Sequence, residues 1–600
     1  MKTATTLWIG PPLALAIGLG AACTTERQRF VGPPGTELPV DDAGKDAGEE
    51  CRLQCSLDGR AVIQTCTGEV VATCPTELAC GEGVCQEPCK AAAADRRSDG
   101  CEFFFQSPRF AMKQDFPQSC HAVFVVNTST LPADIALEFD GESLDVSRSL
   151  YRTNPGQETL IPHTGALAPG ESAILFVADR SPDVPERPGD SRAPCPVGVI
   201  AASYVDGTPN GNGFGKAFRL ATNVPVAATS IYPFGGATSF LPSATLLLPV
   251  PTWSTQHVIV NAWEVSRLGV PSAHIIASED GTEVTILPKK DIADGAGIVG
   301  ALAGKAVTYT LARGQILQLA QSQELSGSLV SSTKPTTIFG SHSCAHVPTT
   351  GGACDTLHQQ IPGYEHWGSE YVGVGYRPRL GNEHELVGYR IVAARDGTQL
   401  DYDPVKPPGA PVTMSAGEVA FFAHGTGDAF VVRTQDPDHP IYLGMYMSGA
   451  DQSFAGPTGG DSSFGGLGDP EFVNVVPAGQ YLSSYSLYAD PTYRNTSLVV
   501  VRAKTRGKFH DVALECAGNI TGFQPVGNRG EYEFARVDLG TNGKPGQTSD
   551  AGVCQLGLHR MRSEGAFTAT LWGWDRYASY AYPGGLAQRK LVSIPLDPIR

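Results

Sequence analysis

The chain has 600 residues, 41% of them hydrophobic and 18% charged, with a net charge of −17 at pH 7. At about 150 residues per domain that is enough apolar material for several packed cores, and an acidic chain without a Lys/Arg cluster excludes nucleic acid and anionic membrane surfaces as partners. Gly 69 and Pro 45 point to many turns between short strands, and beyond the first 25 residues no apolar run approaches the ~20 needed for a membrane-spanning helix.

Lys2 and the mostly apolar stretch Leu7 to Ala22, ending in Gly20, Ala21 and Ala22, read as an export signal over residues 1–22. Cys23 follows at once, as in bacterial lipoproteins whose cysteine is acylated after cleavage, although Gly20 stands where such proteins usually carry Leu. Lipidation of Cys23 is the expectation; ordinary cleavage after Ala22 to a secreted chain is the alternative. Either way the chain is exported, as an outer-membrane or cell-surface lipoprotein in the first case, and its only membrane contact is the lipid anchor. The rest of residues 23–50, with Gly32-Pro33-Pro34-Gly35 and an acidic run from Asp41, has almost no apolar periodicity and reads as a flexible tether.

Residues 51–101 carry eight cysteines: Cys51, Cys55, Cys66, Cys74, Cys80, Cys85, Cys89 and Cys101. So small a segment needs staples. No C-x2-C pair and no His occur in it, so disulfides are favoured over zinc, with a connectivity that spacing alone does not fix.

From about residue 119 the chain turns to runs of Val, Ile, Thr, Tyr and Phe bounded by turn residues, without long helical periodicity. These runs repeat. Asp280-Gly281-Thr282 recurs as Asp396-Gly397-Thr398, with a weaker copy at Asp140-Gly141-Glu142. A glycine turn follows each, at Gly170, Gly314 and Gly417. Next comes an apolar element at Ala217–Leu220, Gly327–Val330, Ala429–Val432 and Gly565–Thr568, the first three running into Pro225, Pro335 and Pro440. Pro249, Pro362 and Pro477 mark successive unit starts. The fold class expected is all-β, with about four tandem β-sandwich-like units behind the disulfide-rich module. A propeller-like closed arrangement of the four units is the alternative. Boundaries are placed at 102–240, 241–350, 351–460 and 461–600. Within them Cys120 and Cys195 form a candidate disulfide in the first unit, and Cys516 and Cys554 another in the last.

The run Ser332 to Gly340 with Lys334-Pro335, then Cys344-Ala345-His346-Val347-Pro348, then Cys354-Asp355-Thr356-Leu357-His358-Gln359-Gln360-Ile361-Pro362 and Trp367-Gly368 resembles the N-terminal domain of the IgG Fc-binding protein family. Thr356 and Ile361 depart mildly from the family pattern. Gly468-Asp469-Pro470, Gln480 and Tyr582-Pro583-Gly584-Gly585 match later landmarks, so the resemblance covers about residues 119–590. It implies an extracellular, non-catalytic, adhesive binding domain whose ligand is a protein or glycan, immunoglobulin Fc or mucin-like by resemblance alone. It carries over no contact residue. It also pairs the region of Cys344 and Cys354 as a disulfide, worth about 3 kcal/mol in the chain-entropy model.

Weighed against that pairing, His342, Cys344 and His346 alternate and would share one face of a strand, as metal ligands do. Gly460-Asp461-Ser462 reads as a loop, because Ser463-Phe464 breaks any nucleophile motif. Asp280 and Asp396 read as turn formers rather than a carboxylate pair, and Asp436, Asp438 and His439 as a solvated loop rather than a calcium site. Trp572, Trp574, Tyr577, Tyr580 and Tyr582 read as filling of the last core rather than a sugar platform. No catalytic residue, metal ligand or cofactor is assigned, and the chain reads as a binding protein and not an enzyme. A secreted carbohydrate-active or other hydrolytic enzyme is the alternative.

Overall fold

A computed structural model describes residues 52–599 except 57, 58, 65, 66, 68, 111–117, 186–191, 240 and 455–462. The export segment, Cys23, the tether, Cys51 and Cys66 lie outside the described residues. The fold is nearly all β, with 48% strand and 4% helix.

The cysteine-rich segment is held by bonds Cys55–Cys80, Cys74–Cys85 and Cys89–Cys101. Its helix Pro88–Asp95 starts on a proline, whose missing N–H costs nothing in a first turn, and stops at Arg96 in the left-handed region at φ 49°. Cys101 sits inside strand Gly100–Phe105, which pairs with strand Phe218–Tyr232 of the main body. The disulfide to Cys89 therefore fastens the module directly to the first β unit.

Grouped by pairing, the body forms four units, each with a first strand that pairs with a long strand. The first strands are Gly100–Phe105, Ser254–Val258, Glu370–Gly373 and Leu482–Ala489. In three units the long strand is continuous: Phe218–Tyr232, Leu329–Ala345 and Gly557–Asp575. Each steps out of its ladder with the first strand over four residues, 222–225, 332–335 and 563–566, and then rejoins it. That excursion, a bulge ending at Pro225, Pro335 or Ala566, bends the strand so that one chain serves both layers of a sandwich. In the third unit the same place holds Pro437 and Pro440, which lack N–H donors. There the long strand divides into Phe430–Thr434 and Ile441–Met447, in separate four-stranded sheets.

The repeated turns superpose in chemistry as well as spacing. The carboxylates of Asp280 and Asp396 accept from the amides of Arg313 and Ala416 at 2.9 and 2.8 Å, so each caps the neighbouring glycine turn. Gly281 and Gly397 have φ of 64° and 70°, a conformation glycine adopts without strain. A fourth glycine turn, Gly530-Glu531, occupies the same place in the last unit: Lys504 N donates to Glu531 O as Ala393 N donates to Glu418 O. Spacing between the second and third units contracts at these turns because residues 288–306 form a longer excursion than their counterpart.

Between units the chain makes a 3-10 turn, Val250–Thr252, Tyr364–His366 and Ala478–Gln480, entered from Pro249, Gly363 and Pro477. The structural equivalent of Pro249 is thus Gly363, one residue beyond the expected Pro362. Trp253 and Trp367 follow in register, each donating its indole N–H to a nearby carbonyl, of Leu248 and of Pro362, at 3.0 Å. Each unit then ends in a closing strand that pairs with its long strand: Ser243–Leu246, Asp355–Ile361, Glu471–Asn474 and Ala578–Pro583.

The four closing strands pack one against the next, and the fourth returns to the first, so the sandwich units surround a common hub. The seam between the ends of this ring is sealed by Ser98 and Leu586: the Ser98 amide donates to the Leu586 carbonyl, and the Leu586 amide to the Ser98 hydroxyl, each at 3.0 Å. Apolar clusters straddle the units. One joins Phe124 and Ile174 of the first unit to Tyr485 and Leu571 of the fourth, and another joins Tyr376 and Tyr389 of the third to Trp572 of the fourth.

Candidate functional site

The run that carries most of the family-like sequence is the second closing strand, Asp355–Ile361, and every residue of it is buried. Gln359 points into the hub, where its Nε2 lies 2.6 Å from Ala244 O, 2.9 Å from Phe472 O and 3.1 Å from Ala581 O. One amide group therefore ties together the other three closing strands. Gln360 accepts from Leu248 N at 2.7 Å, and Asn474 donates to Gln360 O at 2.8 Å. Gln480 does comparable work beside the hub, donating to His366 O and Arg589 O. These residues set unit geometry; none is offered to solvent.

Carboxyl groups crowd the same place. Asp355, Asp469, Glu471 and Asp490 are buried. Neither oxygen of Asp355 has a hydrogen-bond partner among the described residues, nor does the Tyr493 hydroxyl. Burial, with Asp469 and Glu471 adding repulsion, holds the Asp355 carboxyl well above the carboxylate range. Burial likewise pushes Asp469 up to about 7 and Asp490 up to about 6. It raises Glu471 as well, against hydrogen bonds from the Phe472 amide and the Ser243 hydroxyl. Asp355 and Glu471 are thereby favoured as neutral acids, while Asp469 and Asp490 change charge at about 7 and about 6.

A second buried polar group lies where the first and second units meet. Gln106 Nε2 is 2.7 Å from His274 Nδ1 and 3.4 Å from His358 Nε2. His121 bridges Ser107 and Ser230 at 2.8 Å on each side. His358 also contacts Ser341 and stacks on Phe339, with ring centroids 4.8 Å apart. Burial drives His121 and His274 down to about 3, and His358 well below the usual range, its two neighbours reinforcing the shift. No motif announced either cluster: the acids and histidines are scattered along the chain, and only the ring brings them together.

Among the sulfurs, the structure joins Cys120 to Cys195, Cys344 to Cys354 and Cys516 to Cys554. His346 stands beside the second bond, and the Sγ atoms of Cys344 and Cys354 and a ring nitrogen of His346 lie within 4.8 Å of one another. His342 faces elsewhere, toward Glu264 O at 3.0 Å. Asp280 and Asp396 serve separate hairpins. In the loop after Thr434, Asp436 Oδ1 accepts from the Asp438 amide and His439 Nδ1, closing an Asx turn. Asp461 and Ser462 lie outside the described residues. Trp572 and Trp574 are buried, but against Tyr376 of the third unit, at 4.8 and 6.4 Å between centroids, so they seal a junction rather than fill the last unit alone.

Two of the open clefts on the described surface are the roomiest. One, of 410 Å³, is lined by Phe104, Glu138, Lys216, Arg219, Asp280 and Arg313. Its cations are already committed: Arg219 reaches Glu102 and Glu138 at 2.7 Å, and Arg313 reaches Glu102 at 2.6 Å. The other, of 310 Å³, runs between the module helix and the first and fourth units, lined by hydroxyls of Thr128, Ser129, Thr130, Ser484 and Ser486 and by Arg97 and Arg560. Hydroxyls flanked by ion-paired arginines suit a polar, hydrogen-bonding ligand, and three of these hydroxyls are positioned by bonds to the protein: Thr128 to Pro225 O, Ser129 from Leu131 N and Ser484 from Arg97.

The model of the family described as IgGFc binding protein matches residues 243–573. The human IgGFc-binding protein is 24% identical over 376 residues, 62% of this chain and 6% of that protein, so the chain spans a small fraction of the curated relative's length. No helix among the described residues is long and apolar enough to cross a membrane.

Proposed function

Because the chain belongs to the IgGFc binding protein family, we propose that it is an exported surface protein that binds an extracellular protein or glycan and performs no catalysis. The observation that carries this reading is the family match over residues 243–573, which takes in the second and third units, most of the fourth, and three of the four closing strands of the hub, leaving out Ala578–Pro583. The match falls mainly on buried residues that set the scaffold, so ligand choice rests with surface loops and clefts, where binding sites on β scaffolds vary freely. The hydroxyl-lined cleft beside the module is the preferred binding face. The commitment of the Asp280 and Asp396 carboxylates to turn amides supports binding over hydrolysis by that pair. Attachment is through lipid on Cys23, supported by the apolar segment and small residues before it.

The soluble chain from residue 24 onward, immobilised and exposed in turn to immunoglobulin Fc and to a mucin glycopeptide, should show saturable binding of one of them. Replacing Ser484 and Arg97 in the cleft should weaken it. Binding of neither, with turnover of a glycoside or ester by the same preparation, would overturn the reading in favour of a hydrolase. Mass spectrometry of the membrane fraction tests the anchor separately: an unmodified Cys23 in a freely soluble chain removes it.

A further inference from the structure

We propose that opening the Cys344–Cys354 disulfide creates a metal site in which Cys344, Cys354 and His346 take a thiophilic divalent cation of the Zn2+ class. The three ligand atoms already lie within 4.8 Å of one another, so once the bond is opened the sulfurs need only part from bonding distance to reach a tetrahedral cation, with Zn–S of about 2.3 Å. Among the described residues this is the one group of three such side chains placed so closely. Cys344 and His346 are fully buried, and His346 Nδ1 has no hydrogen-bond partner. An orphaned ring nitrogen beside two sulfurs is a donor without an assignment.

The scaffold around the sulfurs does not depend on their bond. Ala345 pairs with Asp355 in the β ladder, fixing the residues next to both cysteines. Cys344 N donates to His342 Nδ1 at 3.1 Å, and the Cys344 carbonyl accepts from the Ser266 hydroxyl. Gly269 closes the other side: a Cβ there would lie 2.4 Å from Cys344 N. Phe110 and Leu241 pack over the sulfurs and limit water. Among the described residues a second cysteine–histidine contact, Cys516 Sγ to His559 Nδ1 at 3.8 Å, does not bring Cys554 into a comparable trio and serves as an internal contrast.

The chemistry requires a thiol reductant. A dithiol attacks Sγ of the half-buried Cys354 and displaces Cys344 as thiolate; its second thiol then releases Cys354, leaving two protein thiols and the reductant as a cyclic disulfide. Binding of the cation displaces the two thiol protons. One further adjustment is needed. Arg267 Nη2 donates to His346 Nε2 at 3.2 Å, which places the ring proton on Nδ1. Ligation through Nδ1 moves that proton to Nε2 and turns Arg267 away, so Arg267 gates the site.

The full chain, reduced anaerobically with a dithiol, freed of reductant and titrated with Co2+, should take up one more equivalent than the C344S/C354S chain treated identically, with thiolate-to-cobalt absorption. His346→Ala should weaken that equivalent and Arg267→Ala should tighten it. In the unmutated reduced chain, Zn2+ should slow alkylation of Cys344 and Cys354 while leaving Cys516 unprotected, a readout that needs no variant. The proposal falls if both cysteines are alkylated at the same rate with and without Zn2+. It falls equally if His346→Ala leaves cobalt affinity unchanged.

Discussion

The histidine junction and the carboxylate hub are equally dry and are built in opposite ways. At the junction the ring nitrogens of His121, His274 and His358 meet hydroxyls and the Gln106 amide, so a neutral base is buried with its hydrogen bonds made. At the hub Asp355 is a neutral acid with none, and Glu471 has one oxygen satisfied and the other not. The difference teaches that burial is the largest influence on the charge state in both places, with like-charged neighbours adding to it at Asp355 and His358, while hydrogen bonding decides how tightly each is held. It also sets opposite responses to pH. The histidines, depressed from about 6.5, contribute stability that is intact above that value and lost as pH falls toward about 3. The acids, raised from about 4, contribute stability that is intact below that value and lost as pH rises through about 6 for Asp490 and about 7 for Asp469. Between those limits the proton balances of unfolding offset each other.

The comparison can be broken most severely at the hub. Gln359→Ala leaves three buried carbonyls without their shared donor, at about 1–3 kcal/mol each, so urea unfolding should show a loss of at least about 3 kcal/mol. A loss under about 1 kcal/mol would mean the closing strands do not depend on that amide. Asp355→Asn removes an ionisation that penalises folding by about 1.4 kcal/mol for each pH unit above the unfolded value. The variant should therefore gain stability relative to the parent at pH 8 and lose that advantage at pH 4.5, as read from urea midpoints. An equal effect at both pH values would sink the hub half of the argument. His358→Gln should show the mirror image: its packing cost against Phe339 is seen in full at pH 8 and is partly offset at pH 4.5, where the parent must bury a base that the unfolded chain protonates. The smallest effect belongs to a position outside both regions. Asp396→Asn should stay within about 0.5 kcal/mol of the parent and leave ligand binding intact, since an Asx turn accepts the amide.

Much of the scaffold was legible because it is local. The Asp-Gly-Thr turns, the glycine turns at Gly314 and Gly417 and the prolines 225, 335 and 440 all act within a few residues of where they stand. The fourth glycine turn at Gly530 escaped notice because Arg506-Gly507 replaces the Asp-Gly-Thr signal before it. Gly100–Phe105 was hidden by Cys101, which reads as part of the module, although Phe103-Phe104-Phe105 is a strand signal. Pro362 misled by one residue because the 3-10 turn needs its φ and ψ at Gly363, which no proline marks. The hub and the histidine junction were illegible for a different reason: Asp355, Asp469 and Glu471 are ordinary polar residues until closing strands far apart in sequence meet.

The seam between Ser98 and Leu586 joins residues 488 positions apart. A chain delivered from its N-terminus therefore builds its first unit with one flank unsealed and completes it only when almost the whole sequence is present. Such non-local closure makes folding slow, and in the interval the first strand presents an open edge on which a second chain can pair. The disulfide from Cys89 to Cys101 closes over only 12 residues and anchors that very strand, so it can restrain the edge without waiting for the seam.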